Sequence, residues 1–222
     1  MANGTSGTSS TTSYSQMTDS EGAALLNSNP KWQSDPDVAQ AIDLYSSNTN
    51  PYGNGYSYSQ NLNHNLANGL PLTSVEQKID DNIQKGMTAI GKDVQLSRFC
   101  HDNILQQLGV DDYSKLSGAE LKSKLVGATF KTTSYLSTSY NGTKSPFAPG
   151  QPQGGGREVY MKINAKKNTK FVPGDKSQAE LVLNKGSKVK VTNVYYDGTM
   201  ASPNKIYPKK IPRVVLEVEI SG

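Results

Sequence analysis

The sequence predicts an α+β domain in which helices come first and a mostly antiparallel sheet system follows. Two observations carry this expectation. Apolar residues at helical spacing dominate the first half, and from residue 129 the pattern becomes strand-like runs punctuated by Gly, Asn and Pro. No internal repeat points to a solenoid or an array. With 222 residues the chain has the length of one large domain, and its 34% hydrophobic content is lean enough that part of it is expected to lie outside the core.

The opening MANGTSGTSSTTSYSQMTDS is rich in Ser, Thr and Gly, with too few apolar groups to offset ordering entropy. Residues 1–34 are therefore expected to be a disordered tail, and 35–222 the folded domain. DPDVAQAIDLYSS places Val38, Ala41, Ile42 and Tyr45 on one helical face, with Asp35 or Asp37 as cap. After a Gly/Asn/Tyr turn, QNLNHNLANG reads as a short helix ended by Gly69. Residues 73–90 read as a helix capped by Thr73 or Ser74, with Val75, Ile79, Ile83 and Met87 repeating along it. VQLSRFC reads as a strand and SGAELKSKLVG as a helix capped by Ser117. TFKTTSYLSTSYNG, GREVYMKINA, TKFVPG, AELVLNKGSKVKVTNVYYDG and PRVVLEVEIS complete the strands. The Gly/Pro loop at 141–156 lacks any phosphate-loop spacing and reads as a long surface loop.

Charge is uneven. Residues 1–75 carry one base, Lys31, against five acids, a balance of −4, so the remainder carries +8 of the net +4. Those lysines are spread along strands and turns with few interleaved aromatics, which favours a solvated surface or an anionic-ligand pocket over nucleic acid. One cysteine, Cys100, excludes an internal disulfide, and two histidines, His64 and His101, exclude a histidine-rich metal site. Cys100 is expected to be a packed thiol. No secretory leader and no membrane span is expected, since no basic and apolar leader pattern or long apolar run occurs.

In SQAELVL, Gln178 and Glu180 are two apart, so on a strand both would stand on one face at the mouth of a buried apolar run. A carboxylate there is costly unless it has a task or a partner. Taken singly, Arg98, Ser137-Thr138-Ser139 and Gln178-x-Glu180 are each ordinary: a strand ion pair, an exposed edge, a solvent-facing acid. Their order is not ordinary. VQLSRF, then SYLSTSY, then SQAELVLNKGSKVKV resembles the Arg / Ser-Thr-Ser / Gln-x-Glu signature of ADP-ribosyltransferase exoenzymes. AIDLYSSN, YSYSQNLNHNL, VEQKIDDNIQKG, VYMKINAKKNTKFV and RVVLEVEIS are similar to the family's flanking elements, so the resemblance covers roughly residues 36–222.

The resemblance implies two small, roughly perpendicular sheets around a cleft that binds NAD as a consumed substrate. It implies cleavage of the nicotinamide–ribose bond and transfer of ADP-ribose to a side chain of a host protein. Glu180 would stabilise the oxocarbenium-like cation, and Ser137 would hold Glu180 by a hydrogen bond. Thr138 and Ser139 would support the strand and the nicotinamide pocket. Arg98, and Arg157 after the glycine-rich loop, would bind the NAD phosphates. Gln178 in place of Glu leans the acceptor towards Asn or Gln rather than Arg. Three departures stand out: Asp175 where the Rho-modifying group carries an aromatic, Ala67 where an arginine often follows the helix leucine, and SRFCHD at the arginine strand.

No metal, membrane or nucleic acid is expected as a partner, and a monomer is expected. Two other functions fit the same residues: a non-catalytic or virion-associated protein that keeps the scaffold, and an NAD glycohydrolase using water as acceptor. Location stays open between an injected effector, a phage-packaged protein and action in the producing cell.

Overall fold

Side-chain caps fix where the helices begin. The computed structural model describes residues 14–28, 31–100, 103–141, 158–201 and 211–222. Its helices are α1 (Asp19–Asn27), α2 (Lys31–Ser34), α3 (Pro36–Ser46), α4 (Tyr58–Asn68), α5 (Ser74–Gly86), α6 (Asn103–Gln107) and α7 (Gly118–Leu125). Thr18, Ser57, Thr73 and Ser117 form reciprocal capping boxes with Glu21, Gln60, Glu76 and Glu120, each cap worth about 1 kcal/mol. Asp35 caps α3, with Pro36 in the first turn. Glu76 does more than cap, because its Oε2 also accepts from Asn65 Nδ2 at 3.2 Å and so ties α4 to α5.

The expectation of a disordered tail through residue 34 does not hold for its described part. Capped α1 and α2 lie within it, Met17 and Trp32 are buried, and Trp32 Nε1 donates to Gly86 O at 2.9 Å. Two apolar anchors and a capping box offset the ordering entropy that composition alone predicts will win. Residues 1–13 lie outside the described residues.

The strands are β1 (Thr88–Ala89), β2 (Val94–Cys100), β3 (Thr129–Lys131), β4 (Leu136–Ser139), β5 (Val159–Ala165), β6 (Lys170–Pro173), β7 (Glu180–Leu183), β8 (Lys188–Ala201) and β9 (Ile211–Ser221). Their order is β1-β6-β7-β4-β2-β5-β9-β8-β3. Only β5 and β9 pair in parallel among the described strands; every other pairing is antiparallel. Hydrogen bonds connect all nine described strands into one sheet. Its two parts join only through β2 and β4, at the single register pair Ser97↔Ser139. Residues of both strands around this joint line a cavity.

The expected run TFKTTSYLSTSYNG is two strands, β3 paired with β8 and β4 with β7. The break falls at Tyr135, whose ring is buried and whose hydroxyl donates to Asp80 Oδ1 at 2.6 Å. The helix expected over 73–90 stops at Gly86, where a Cβ would overlap Val38, and the chain continues as β1. Leu96, Ile163, Leu181, Leu183, Leu216 and Phe171 form the sheet side of the core, against Leu62, Ile79 and Ile83 from the helices. Each fully buried side chain of this size contributes about 1.5–3 kcal/mol. Cys100 is buried as a packed thiol. Among the described residues, no helix is long and apolar enough to cross a membrane.

Candidate active site

Beside the β2–β4 joint lies a cavity of about 400 Å³, within the range of roughly 300–1,000 Å³ that small-molecule sites occupy. Ser97, Arg98 and Phe99 of β2 line one wall, and Ser137, Thr138 and Ser139 of β4 the other. Asp175, Gln178 and Glu180 close one end. The structure thus brings Arg98, the Ser-Thr-Ser run and the Gln-x-Glu pair into one space. Arg157 lies outside the described residues, as does the loop at 142–156.

Arg98 is steered by its own sheet. Its Nη1 donates to Ser137 O at 3.1 Å, which clamps the guanidinium against β4. Thr138 Oγ1 donates to Leu181 O at 2.8 Å, and Ser139 Oγ donates to Gln178 O at 2.9 Å. Both hydroxyls therefore tie β4 to the segment that carries the acids. The register sets Ser139 opposite Glu180 and Ser137 opposite Val182.

Gln178 and Glu180 do not share a strand. Gln178 ends a 3-10 turn, Lys176–Gln178, and Glu180 begins β7. Between them Ala179 adopts φ 52, the one non-glycine residue with positive φ among those described. A left-handed alanine costs about 1–2 kcal/mol and persists only where its surroundings fix it. Here Ala179 is fully buried, and its carbonyl accepts from Tyr140 N at 3.0 Å.

Glu180 is seated by backbone. Its Oε2 accepts from Asp175 N at 2.7 Å, and a Cβ on Gly174 would overlap its carboxylate and Cγ. Only glycine at 174 leaves room for this rotamer. Ser137, expected to hold Glu180, lines the same cavity as Glu180 and Tyr45.

Tyr45 lines the cavity from α3 with its phenol pushed up to about 12. Burial is the main cause; hydrogen bonds from Asn63 and Ser137 oppose it, and the nearby Glu180 adds to it. At neutral pH it is a neutral hydrogen-bonding group. Asn63 Nδ2 donates to Tyr45 at 2.8 Å, while Asn63 Oδ1 accepts from Tyr135 N at 3.1 Å. One amide thereby sets the cavity floor and the entry to β4 together. Asp175 holds its carboxyl below the usual range, first through the Ser177 hydroxyl, then through the Ser177 N–H and the Gln178 amide, against its partial burial.

Sequence reasoning missed Gly174, Tyr45, Asn63 and the serine wall of Ser46, Ser47, Ser57 and Ser59. The Tyr-Ser and Asn-containing segments resemble flanking elements of the family, and that adjacency is the available signal. Ala67, by contrast, is exposed on α4 and does not line the cavity. Among the described residues no cluster of His, Cys, Asp or Glu is placed to hold a metal.

The chain matches the family model described as ADP-ribosyltransferase exoenzyme over residues 32–210. No curated protein sequence matches it. Among solved structures, it is similar in fold to Plx2a, an ADP-ribosyltransferase toxin from Paenibacillus larvae, with TM-score 0.63, 16% identity and coverage of 93% of this chain and 98% of that one. The C3 exoenzyme of Clostridium limosum gives TM-score 0.62 at 18% identity, covering 95% and 98%. C3stau2 from S. aureus, whose structure was solved with NAD, gives 0.61 at 17%, covering 94% and 99%. The match spans most of the sequence and includes all the cavity walls, so this chain belongs to the ADP-ribosyltransferase exoenzyme family.

Proposed function

We propose that the protein cleaves NAD and transfers ADP-ribose to a protein side chain, in the manner of a mono-ADP-ribosyltransferase. The observation that carries this reading is Glu180 fixed in the cavity by Asp175 N, in a space that also holds Arg98. NAD fits the donor set: a guanidinium for its phosphates, and hydroxyls and amides from α3 and α4 for ribose and nicotinamide.

In the reaction the bond between ribose C1′ and the nicotinamide nitrogen breaks, and nicotinamide leaves neutral with the electron pair. C1′ becomes cationic, and the Glu180 carboxylate stabilises that charge. The acceptor nitrogen then bonds C1′ and gives up a proton to solvent. Thr138 and Ser139 act through position, holding the wall that carries the acids. Gln178 faces the acceptor, and its amide oxygen can accept from the N–H of an amide side chain, Asn or Gln. The acceptor belongs to another protein, and NAD is consumed rather than retained.

Incubation with labelled NAD and a cell lysate tests this. Label on a protein band that disappears with Glu180→Gln is the expected result. Nicotinamide release with no protein label would make the enzyme an NAD glycohydrolase. The absence of both label and nicotinamide release would overturn the proposal.

A further inference from the structure

Gln178 does not hang free at the cavity mouth. Its Nε2 donates to Asp175 Oδ2 at 3.0 Å, while Asp175 Oδ1 accepts from Ser177 N at 2.8 Å and Ser177 Oγ at 2.7 Å. Asp175 N, in the same residue, donates to Glu180 Oε2. One aspartate therefore holds the acceptor amide with its side chain and the Glu180 carboxylate with its backbone.

The chemistry of this contact fixes which way the amide points. An ionised carboxylate has no donor, so only the NH2 side of Gln178 can face it. Oε1 is then turned away from Asp175, within a residue that lines the cavity. Donation to a carboxylate also pulls electron density towards the far end of the amide, which strengthens Oε1 as an acceptor, by about 10–30% for such chains.

We infer that Asp175 is the specificity-determining positioning residue of this enzyme: it locks Gln178 so that Oε1 accepts a hydrogen bond from the N–H group that is to be modified. This rests on the transferase reading above and deepens it. The side chain entering the site must carry an N–H. Carboxylate acceptors are excluded, because Oε1, Asp175 and Glu180 present only lone pairs and negative charge to them. The position that departs from the Rho-modifying pattern is thus the one that preorganises the turn. The left-handed Ala179 and the Asp175 cap leave Gln178 already in place before any partner arrives.

The test is a polarity swap. In Asp175→Asn, keeping the Ser177 contacts turns an NH2 towards Gln178, so the glutamine amide must reverse and offer Nε2 outward. Labelled protein per nicotinamide released, measured with labelled NAD and lysate, should fall at least tenfold. Adding Gln178→Glu restores an outward acceptor oxygen, because the asparagine introduced at 175 can donate to one carboxylate oxygen and leave the other free. The ratio should then recover severalfold. An unchanged ratio in the single variant, or no recovery in the double variant, overturns the inference. In the wild-type protein, one proton of the Gln178 side-chain NH2, assigned by its loss in Gln178→Glu, should resonate downfield and exchange slowly. Two freely exchanging protons would overturn the inference even if Asp175→Asn fails to fold. If wild type itself neither labels protein nor releases nicotinamide, the transferase reading fails and this inference fails with it.

Discussion

Gly174 lies against the carboxylate of Glu180 so closely that any side chain at 174 would overlap it. The glycine is needed for room, not for a left-handed backbone, since its φ is not in the positive region. Gly174→Ala should push Glu180 off Asp175 N and away from the C1′ position. We expect nicotinamide release to slow by tenfold or more, about 1.4 kcal/mol or greater in the barrier. KM for NAD should change less than about threefold, because Arg98 is untouched. Steady-state kinetics on the folded variant checks both numbers.

Ser46 Oγ is the one buried side-chain polar atom without a hydrogen-bond partner among the described residues, and Ser46 lines the cavity. An unsatisfied buried hydroxyl costs about 1–3 kcal/mol, a cost that bound NAD would relieve. Ser46→Ala should therefore leave the melting temperature unchanged or raise it, while KM for NAD rises about fivefold to tenfold. A lowered melting temperature with unchanged KM would assign Ser46 a structural role instead.

Helix α1 supports the site from outside. A Cβ on Gly22 would overlap the ring of Tyr140, whose backbone N–H holds Ala179 beside Glu180. Asn141 Nδ2 donates to Asp19 Oδ1 at 2.8 Å, a second tie between α1 and the end of β4. Overpacking of this kind costs about 1–3 kcal/mol. Gly22→Ala should lower stability by that amount in denaturant titration and also reduce turnover.

Alkaline pH should weaken the fold through Tyr45. Its folded pKa of about 12 lies above the ordinary value of 10.0, so between these limits the unfolded chain loses a proton that the folded chain keeps. The contribution is complete below pH 10 and is lost as pH rises towards 12, by up to about 2–3 kcal/mol. Tyr45→Phe should remove this share of the slope, while buried Tyr135, whose phenol is also pushed up, keeps its own. Denaturant midpoints across this range, read beside tyrosinate absorbance, measure it.

Much of this site was legible because its residues follow one another in a fixed order. Arg98, Ser137-Thr138-Ser139 and Gln178-x-Glu180 are weak as single motifs, yet the fold collects the three in one cavity. The helix caps were partly plain: Ser117 precedes a glutamate by three residues, and of Thr73 and Ser74 the fold uses Thr73. What the sequence hid was set by tertiary contact. Strand alternation puts Gln178 and Glu180 side by side, whereas buried Ala179 at φ 52 replaces alternation with a turn. Composition marks the first residues as disordered, but Met17 and Trp32 find the core and bring α1 with them. The seat of Glu180 is a backbone N–H and the space above a glycine, and neither leaves a mark in residue type.

In the proposed reaction Glu180, held by Asp175, stabilises the cation formed when NAD loses nicotinamide. The most direct test of that role is nicotinamide release by the purified protein, wild type against Glu180→Gln, at saturating NAD. We expect release by the wild type and a loss of at least a hundredfold in the variant, about 2.7 kcal/mol of barrier, with NAD binding kept within about threefold. Equal rates in the two proteins would rule out that role for Glu180.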